Sequence, residues 1–341
     1  MQTVLVTGAK GFISGYLIQE LLNNGYRVIG IDNLSKYGDV KKSYDKNPNY
    51  IFFRHDAKDK EFIRQILEMF QCNFLVLNAA RIGGISYFHT WPYDIISENE
   101  KITAAGFDAL IEYKKAKAIV LSSSMVFENA AQFPTKESHI YECPPPSSTY
   151  GFQKLAVEYF AKGAAEQYGL DYTLIRPFNC IGVGEYQALS DKEIWSGNIK
   201  LSMSHVVPDL VLKLVKGQNP LHILGDGTQI RHYTYGGDIA KGIRIAMESP
   251  KALGQTFNIS TSKGHTVLEL AKIIWYKLRE DEFNYVSDPP FEYDVQKRIP
   301  DVTKAKEILG FEANTSLEWV LDNEIIPWIK EYARELETTG K

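Results

Sequence analysis

The chain has 341 residues, 44% hydrophobic and 23% charged, an ordinary composition for a soluble globular enzyme and a length beyond what one hydrophobic core usually organises. Lys and Arg total 38 against 42 Asp and Glu, a net charge of −4 with no long basic block, which excludes a nucleic-acid footprint and leaves any anionic ligand to be met locally. No apolar run of about 18 residues occurs and no basic-then-apolar leader precedes the first strand, so a membrane partner is not expected and a cytoplasmic location is.

Short β-branched runs alternate with longer amphipathic segments, which predicts an α/β fold with a doubly wound parallel sheet. Thr3 to Val6 is the first predicted strand, and it runs through Thr7-Gly8-Ala9-Lys10-Gly11 into a helix from Phe12 to Asn24. A glycine turn at this place lets the backbone approach a pyrophosphate, whose charge the amides and dipole of the following helix then stabilise. Gly8 and Gly11 hold the expected positions, and the third slot carries Ser14 with Gly15 beside it. Alone, the motif is as readily a plain strand-to-helix turn.

Arg27 to Ile31 is the next strand and closes on Asp32-Asn33. A carboxylate there accepts hydrogen bonds from an adenosine ribose and repels a 2′-phosphate, which favours NAD over NADP; the bland alternative is a turn residue. Tyr50 to Arg54 is a strand, followed by Asp56, which either caps the helix Lys58 to Phe70 or reaches the adenine. Phe74 to Asn78 is a strand leading into Asn78-Ala79-Ala80, Ile96 to Tyr113 a helix, and Ala118 to Ser122 a strand that ends on Ser122-Ser123-Ser124. Read alone, Ser123 is a strand-end serine bonding its own backbone.

Pro144-Pro145-Pro146 stiffens the approach to the helix Tyr150 to Tyr168. Tyr150 and Lys154 stand at i and i+4 on one helix face, where an ammonium can hold down a phenol's pKa and let it act as a base. That spacing by itself is weak evidence. With the glycine run, Asp32 and the serine cluster it implies hydride chemistry.

Tyr172 to Arg176 is the last strand of this series, and after Pro177 the texture turns irregular. Leu221 to Leu224 reads as a strand, Gly237 to Glu248 as a helix, and Thr266 to Leu278 and Ser316 to Ala333 as amphipathic helices. The expected division is a dinucleotide-binding domain over residues 1–178, with 237–260 returning to it, and a smaller α/β domain over 179–341. Cys72, Cys143 and Cys180 show no metal-ligand spacing and leave an odd thiol, which fits a reducing compartment and bystander cysteines; no metal site is expected.

Taken in order, Thr7-Gly8-Ala9-Lys10-Gly11-Phe12-Ile13, Asn78-Ala79-Ala80, Ser122-Ser123-Ser124-Met125-Val126-Phe127, Tyr150 with Lys154, Arg176-Pro177-Phe178-Asn179 and Arg231-His232-Tyr233-Thr234-Tyr235 resemble the extended short-chain dehydrogenase/reductases of the nucleotide-sugar epimerase/dehydratase family. The resemblance implies a Rossmann domain holding NAD through Gly8, Gly11, Phe12, Ile13, Asp32, Asn33, Asp56, Ala79 and Lys154. It implies Tyr150 as the acid/base, Lys154 on the nicotinamide ribose and lowering the Tyr150 pKa, and Ser123 on the sugar hydroxyl. Ser124, Asn179, His205 and Arg231 would hold a nucleotide-diphosphate sugar, and the helices Ile96 to Tyr113 and Tyr150 to Tyr168 would form a homodimer.

Dehydratases of that group carry an acidic residue where this chain has Met125, whose thioether is no base at neutral pH. Asn78-Ala79-Ala80-Arg81-Ile82-Gly83-Gly84-Ile85 and Ser204-His205-Val206-Val207-Pro208 resemble the GDP-fucose synthases, whose cysteine and histidine acid/base pair is here Met125 and His205. His205 then either protonates a carbanion, contacts a diphosphate or packs in the wall. The leading expectation is an NAD-dependent C4 epimerase acting through a transient 4-keto sugar. A reductase or multi-carbon epimerase, and a non-catalytic dinucleotide-binding regulator, are the alternatives.

Overall fold

A computed structural model describes residues 1–83, 90–189, 194–196, 199–201, 203, 205–290 and 294–339. The first part of the chain forms β1 (Thr3–Thr7), α1 (Phe12–Asn23), β2 (Arg27–Asp32), β3 (Tyr50–Arg54), α2 (Lys60–Met69), β4 (Phe74–Leu77), α3 (Pro92–Tyr113), β5 (Lys117–Leu121), α4 (Thr149–Tyr168) and β6 (Tyr172–Pro177). There follow β7 (Cys180–Ile181), β8 (Ile194–Ser196), β9 (Ile199–Leu201), α5 (Val206–Val215), β10 (Leu221–Leu224), β11 (Ile230–Arg231), β12 (Thr234–Tyr235), α6 (Gly236–Glu248) and β13 (Thr256–Ile259). The chain continues through β14 (His265–Thr266), α7 (Val267–Leu278), β15 (Tyr285–Asp288), α8 (Thr303–Leu309), α9 (Leu317–Val320) and α10 (Ile326–Thr339).

Seven strands make one sheet in the order β13-β6-β5-β4-β1-β2-β3, every neighbouring pair parallel. All five residues of β1 are buried, as a central parallel strand covered on both faces requires. On one face Leu17, Ile18 and Leu21 of α1 meet Ile239 and Ile243 of α6. On the other, Ile63 and Leu67 of α2, Phe107 and Leu110 of α3, and Val157 and Ala161 of α4 form a second core. A third core joins α5, α7 and α10 around Leu210, Val211, Ile274, Trp275 and Ile329. Strand order reverses between β1 and β4, which opens a crevice at their carboxyl ends.

Three expectations change in detail. The helix expected from Ile96 begins at Trp91-Pro92, with proline in the first turn where its missing N–H costs nothing. The helix expected over Ser316 to Ala333 is capped by Ser316, then widens into a π-turn at Leu321–Ile325 before α10. Residues 237–260 supply not only α6 but also β13, which pairs with β6 and closes that edge of the sheet. Among the described residues no helix is long and apolar enough to cross a membrane.

Candidate active site

The crevice widens into a cleft of about 810 Å³ that runs from the β1–α1 turn to α5 and β10. At its first end Gly8 adopts φ +69°, and a Cβ there would come within 2.9 Å of the Ala79 Cα. The turn therefore stays bare, and Gly11 caps α1 in front of first-turn amides that have no intrahelical acceptor. Phe12 and Ile13 face the cleft at this helix end. Ser14, in the slot of the third glycine, is fully buried and its Oγ accepts a 2.7 Å bond from Asn78 Nδ2, so its small side chain joins α1 to the end of β4.

At the end of β2 the Asp32 carboxylate is aimed by backbone donors, Lys10 N–H at 2.9 Å and Leu34 N–H at 2.7 Å. Asn33 Nδ2 donates to Asp56 Oδ2 at 3.3 Å. The two readings of Asp56 separate here: Asp59 caps α2 by accepting from Phe62 N–H at 3.0 Å, and Asp56 lines the cleft. Ala79 N–H is held by Thr7 Oγ1 at 3.1 Å. A glycine cradle that a Cβ would fill, a bare helix end and a carboxylate at the end of β2 lining the cleft fit NAD.

Ser123, Tyr150 and Lys154 meet at the middle of the cleft. Ser123 caps the 3₁₀ turn Ser124–Phe127, its Oγ accepting from Met125 N–H at 3.1 Å, and its hydroxyl hydrogen-bonds the Tyr150 oxygen. Burial raises the Tyr150 pKa, opposed by the Ser123 bond and then by the charge of Arg298. Lys154 Nζ donates to the Leu121 carbonyl at 2.9 Å; burial lowers its pKa to about 8, against the pull of Glu100. The Lys154 ammonium thus donates to a strand-end carbonyl, and the charge of Arg298 acts on Tyr150. Met125 packs beside Tyr150 with Ile95 and Val295.

The far end is cationic. Arg231 Nη2 donates to Asp294 Oδ1 at 3.0 Å, and neighbouring Arg298 is half-buried with its Nε buried and unpartnered. Burial, then the charge of Arg231, pulls the Arg298 pKa down to about 9. Asn179 is held at φ +36° with its Nδ2 buried and unpartnered, and the Tyr233 hydroxyl is likewise an orphan. All four line the cleft, so its unmet donors call for an anion rich in oxygen. Ser124 is buried on the same wall. His205, the N-cap of α5, places Nδ1 2.5 Å from Glu185 Oε1 and opens to the cleft. Gly84, Ile85 and Ser204 of the segments singled out in the sequence lie outside the described residues.

Sequence reasoning missed Arg298, Glu185 and Tyr233. Tyr233 stood inside a quoted motif and could have been found. Arg298 joins Arg231 only because its N–H pairs with the Ile230 carbonyl at 3.2 Å, a contact no local pattern announces.

The model of the NAD dependent epimerase/dehydratase family matches residues 4–260. A UDP-glucuronate 4-epimerase of Thermodesulfobacterium geofontis is 27% identical over 340 residues, 96% of each chain. A dTDP-glucose 4,6-dehydratase of Xanthomonas campestris is 25% identical over 362 residues, 97% of this chain and 95% of its own. The crystal structure of UDP-glucose 4-epimerase from Thermotoga maritima with UDP-glucose superposes with a TM-score of 0.77 at 29% identity, covering 100% of both chains.

Proposed function

The chain belongs to the NAD dependent epimerase/dehydratase family, and on that premise we propose that it is an NAD-dependent nucleotide-sugar 4-epimerase whose substrate is a UDP-sugar. Bound NAD supplies the acceptor and later the donor of the C4 hydride. Gly8, Gly11, Phe12, Ile13 and Ala79 form its pyrophosphate cradle, Asp32, Asn33 and Asp56 its adenosine end, and Lys154 its nicotinamide ribose contact. Arg231, Arg298 and Asn179 hold the sugar nucleotide's diphosphate. Ser123 and Ser124 orient the hexose. Tyr150 takes the proton of the C4 hydroxyl, and returns it once the 4-keto sugar has presented its opposite face.

The observation that carries the choice is Met125. Elimination of water needs a base beside the sugar, and the side chain packed on Tyr150 is a thioether. The proposal includes the two-domain division at residue 178, a cytoplasmic setting for the three free cysteines, and a homodimer through α3 and α4. A second reading, epimerisation at a further carbon, is favoured by one contact: the Glu185 carboxylate lies close against a His205 imidazole that opens to the cleft.

The test is product analysis of UDP-glucose and UDP-glucuronate turnover in deuterated water. C4 epimers without label at C3 or C5 are expected, and label at either carbon assigns the reaction to His205 instead. Tyr150→Phe should lower kcat by about 10²–10⁴-fold while UDP-sugar binding persists. Unchanged turnover would sink the acid/base assignment.

A further inference from the structure

Behind Ser123 and Tyr150 runs a chain of buried polar groups that the chemistry does not use. The side chains of Arg176 and Glu158 are 1% and 0% exposed. Arg176 Nε donates to Glu158 Oε1 at 2.8 Å and Nη2 to Oε2 at 2.7 Å, a two-point pair, and the Ser122 hydroxyl donates to the same Oε1 at 2.6 Å. The guanidinium lies 4.7 Å over the Phe127 ring, and its Nη1 donates to the Glu137 carbonyl at 3.0 Å. Glu137 Oε1 accepts from Asn258 N–H at 2.8 Å, and Asn258 Nδ2 donates to the carbonyls of Thr135 at 3.0 Å and Asp301 at 3.2 Å. Thr135 N–H in turn donates to the Ile299 carbonyl at 2.7 Å, next to Arg298.

Stability alone is a poor reason for such a pair. Stripping water from two charges costs about as much as their attraction returns, and packed apolar residues often serve as well. What apolar residues do not supply is direction. Ser122 immediately precedes Ser123, Glu158 stands one turn beyond Lys154 on α4, and Phe127 ends the 3₁₀ turn that Ser123 caps. The pair thus touches every element that brings the Ser123 hydroxyl to the Tyr150 oxygen.

We propose that Ser122, Glu158 and Arg176 are positioning residues for the 4-epimerase reaction: they lock the end of β5 to α4 so that Ser123 meets Tyr150, and through Glu137 and Asn258 they carry the same frame to the segment that presents Arg298. The inference rests on the epimerase reading. A misplacement of about 1 Å at a reacting group costs on the order of a hundredfold in rate, so small losses in this frame have readable effects.

Ser122→Ala removes one hydroxyl and leaves the ion pair, and Arg176→Lys keeps the charge but not the two-point fork. For Ser122→Ala, kcat should fall about tenfold with KM for the UDP-sugar nearly unchanged, and for Arg176→Lys about a hundredfold. In both, the limb of the kcat/KM profile set by Tyr150 should move to higher pH as the Ser123 bond to phenolate weakens. Variants that melt earlier yet keep wild-type kcat and an unmoved limb would overturn the proposal and leave the network a structural role. If Arg176→Lys fails to fold, Ser122→Ala decides. Should the wild type convert no UDP-sugar, that failure belongs to the epimerase reading. The positioning claim is then read from phenolate absorbance, by subtracting Tyr150→Phe: an upward shift of the Tyr150 step in Ser122→Ala supports it, and an unmoved step refutes it.

Discussion

Arg298 is a half-buried guanidinium with a buried, unmet Nε, a second arginine pushing on it, and the carboxylates of Asp294 and Glu128 pulling the other way. Such a site keeps a guanidinium donor unmet until a diphosphate enters, and meanwhile its field favours phenolate at Tyr150. Arg298→Met should therefore weaken UDP-sugar binding by about ten- to a hundredfold, the worth of a charged hydrogen bond, in calorimetric titration. It should also carry the Tyr150 limb of kcat/KM upward, since that ratio reports the free enzyme. An unmoved limb would mean that the phenol takes its tuning from Lys154 after all. Tyr150, Lys154 and Ser123 were legible in the chain because a helix turn and a strand end place them by local rules. Arg298 was not, because the backbone pairing of its segment with Ile230 creates its site.

At the scale of elements, α3 and α4 pack side by side and leave an apolar outer face. On α4, Phe152 is 48%, Tyr159 62% and Phe160 37% exposed, and Gly163 between the turns has nothing near the position of a Cβ. These residues follow helical spacing, so they form one stripe with room for a second helix to approach. For the proposed homodimer, the double variant Phe152→Glu with Tyr159→Glu should sediment as a monomer where the wild type sediments as a dimer; a wild-type monomer at micromolar concentration would remove the proposal. The periodicity of α4 in the sequence marks a helix but does not say what meets its outer face. Where local signals conflict, boundaries slipped: α3 starts at Trp91-Pro92, ahead of the expected Ile96, and the short run Thr256–Ile259 becomes a strand only through its neighbour β6.

At the scale of the whole molecule, a net charge of −4 says nothing about which charges are buried, and burial sets the response of the fold to pH. Burial lowers Lys154, Lys42 and Lys117 to about 8 from 10.5, and Arg298 from the ordinary guanidinium range to about 9. Above pH 8 the folded chain therefore sheds protons that the unfolded chain keeps, and stability rises with pH. Solvent screening makes Lys42 and Lys117, both partly exposed, the weaker contributors. Cys72, Cys143 and Cys180 are raised from 9.0, and Tyr16, Tyr44, Tyr50, Tyr150, Tyr233 and Tyr235 from 10.0, by burial. These groups stay protonated in the fold after their unfolded counterparts ionise, so stability is lost above those values. The Tm of the ligand-free protein should climb between about pH 8 and 9, level off, and fall above about pH 10. Lys154→Met should flatten the climb. A bound UDP-sugar should do so as well, because its diphosphate keeps Arg298 protonated and removes that group from the balance. A Tm that falls steadily from pH 8 would mean that these cations are hydrated in the fold, and with them the dry cationic cleft on which substrate binding depends would be lost.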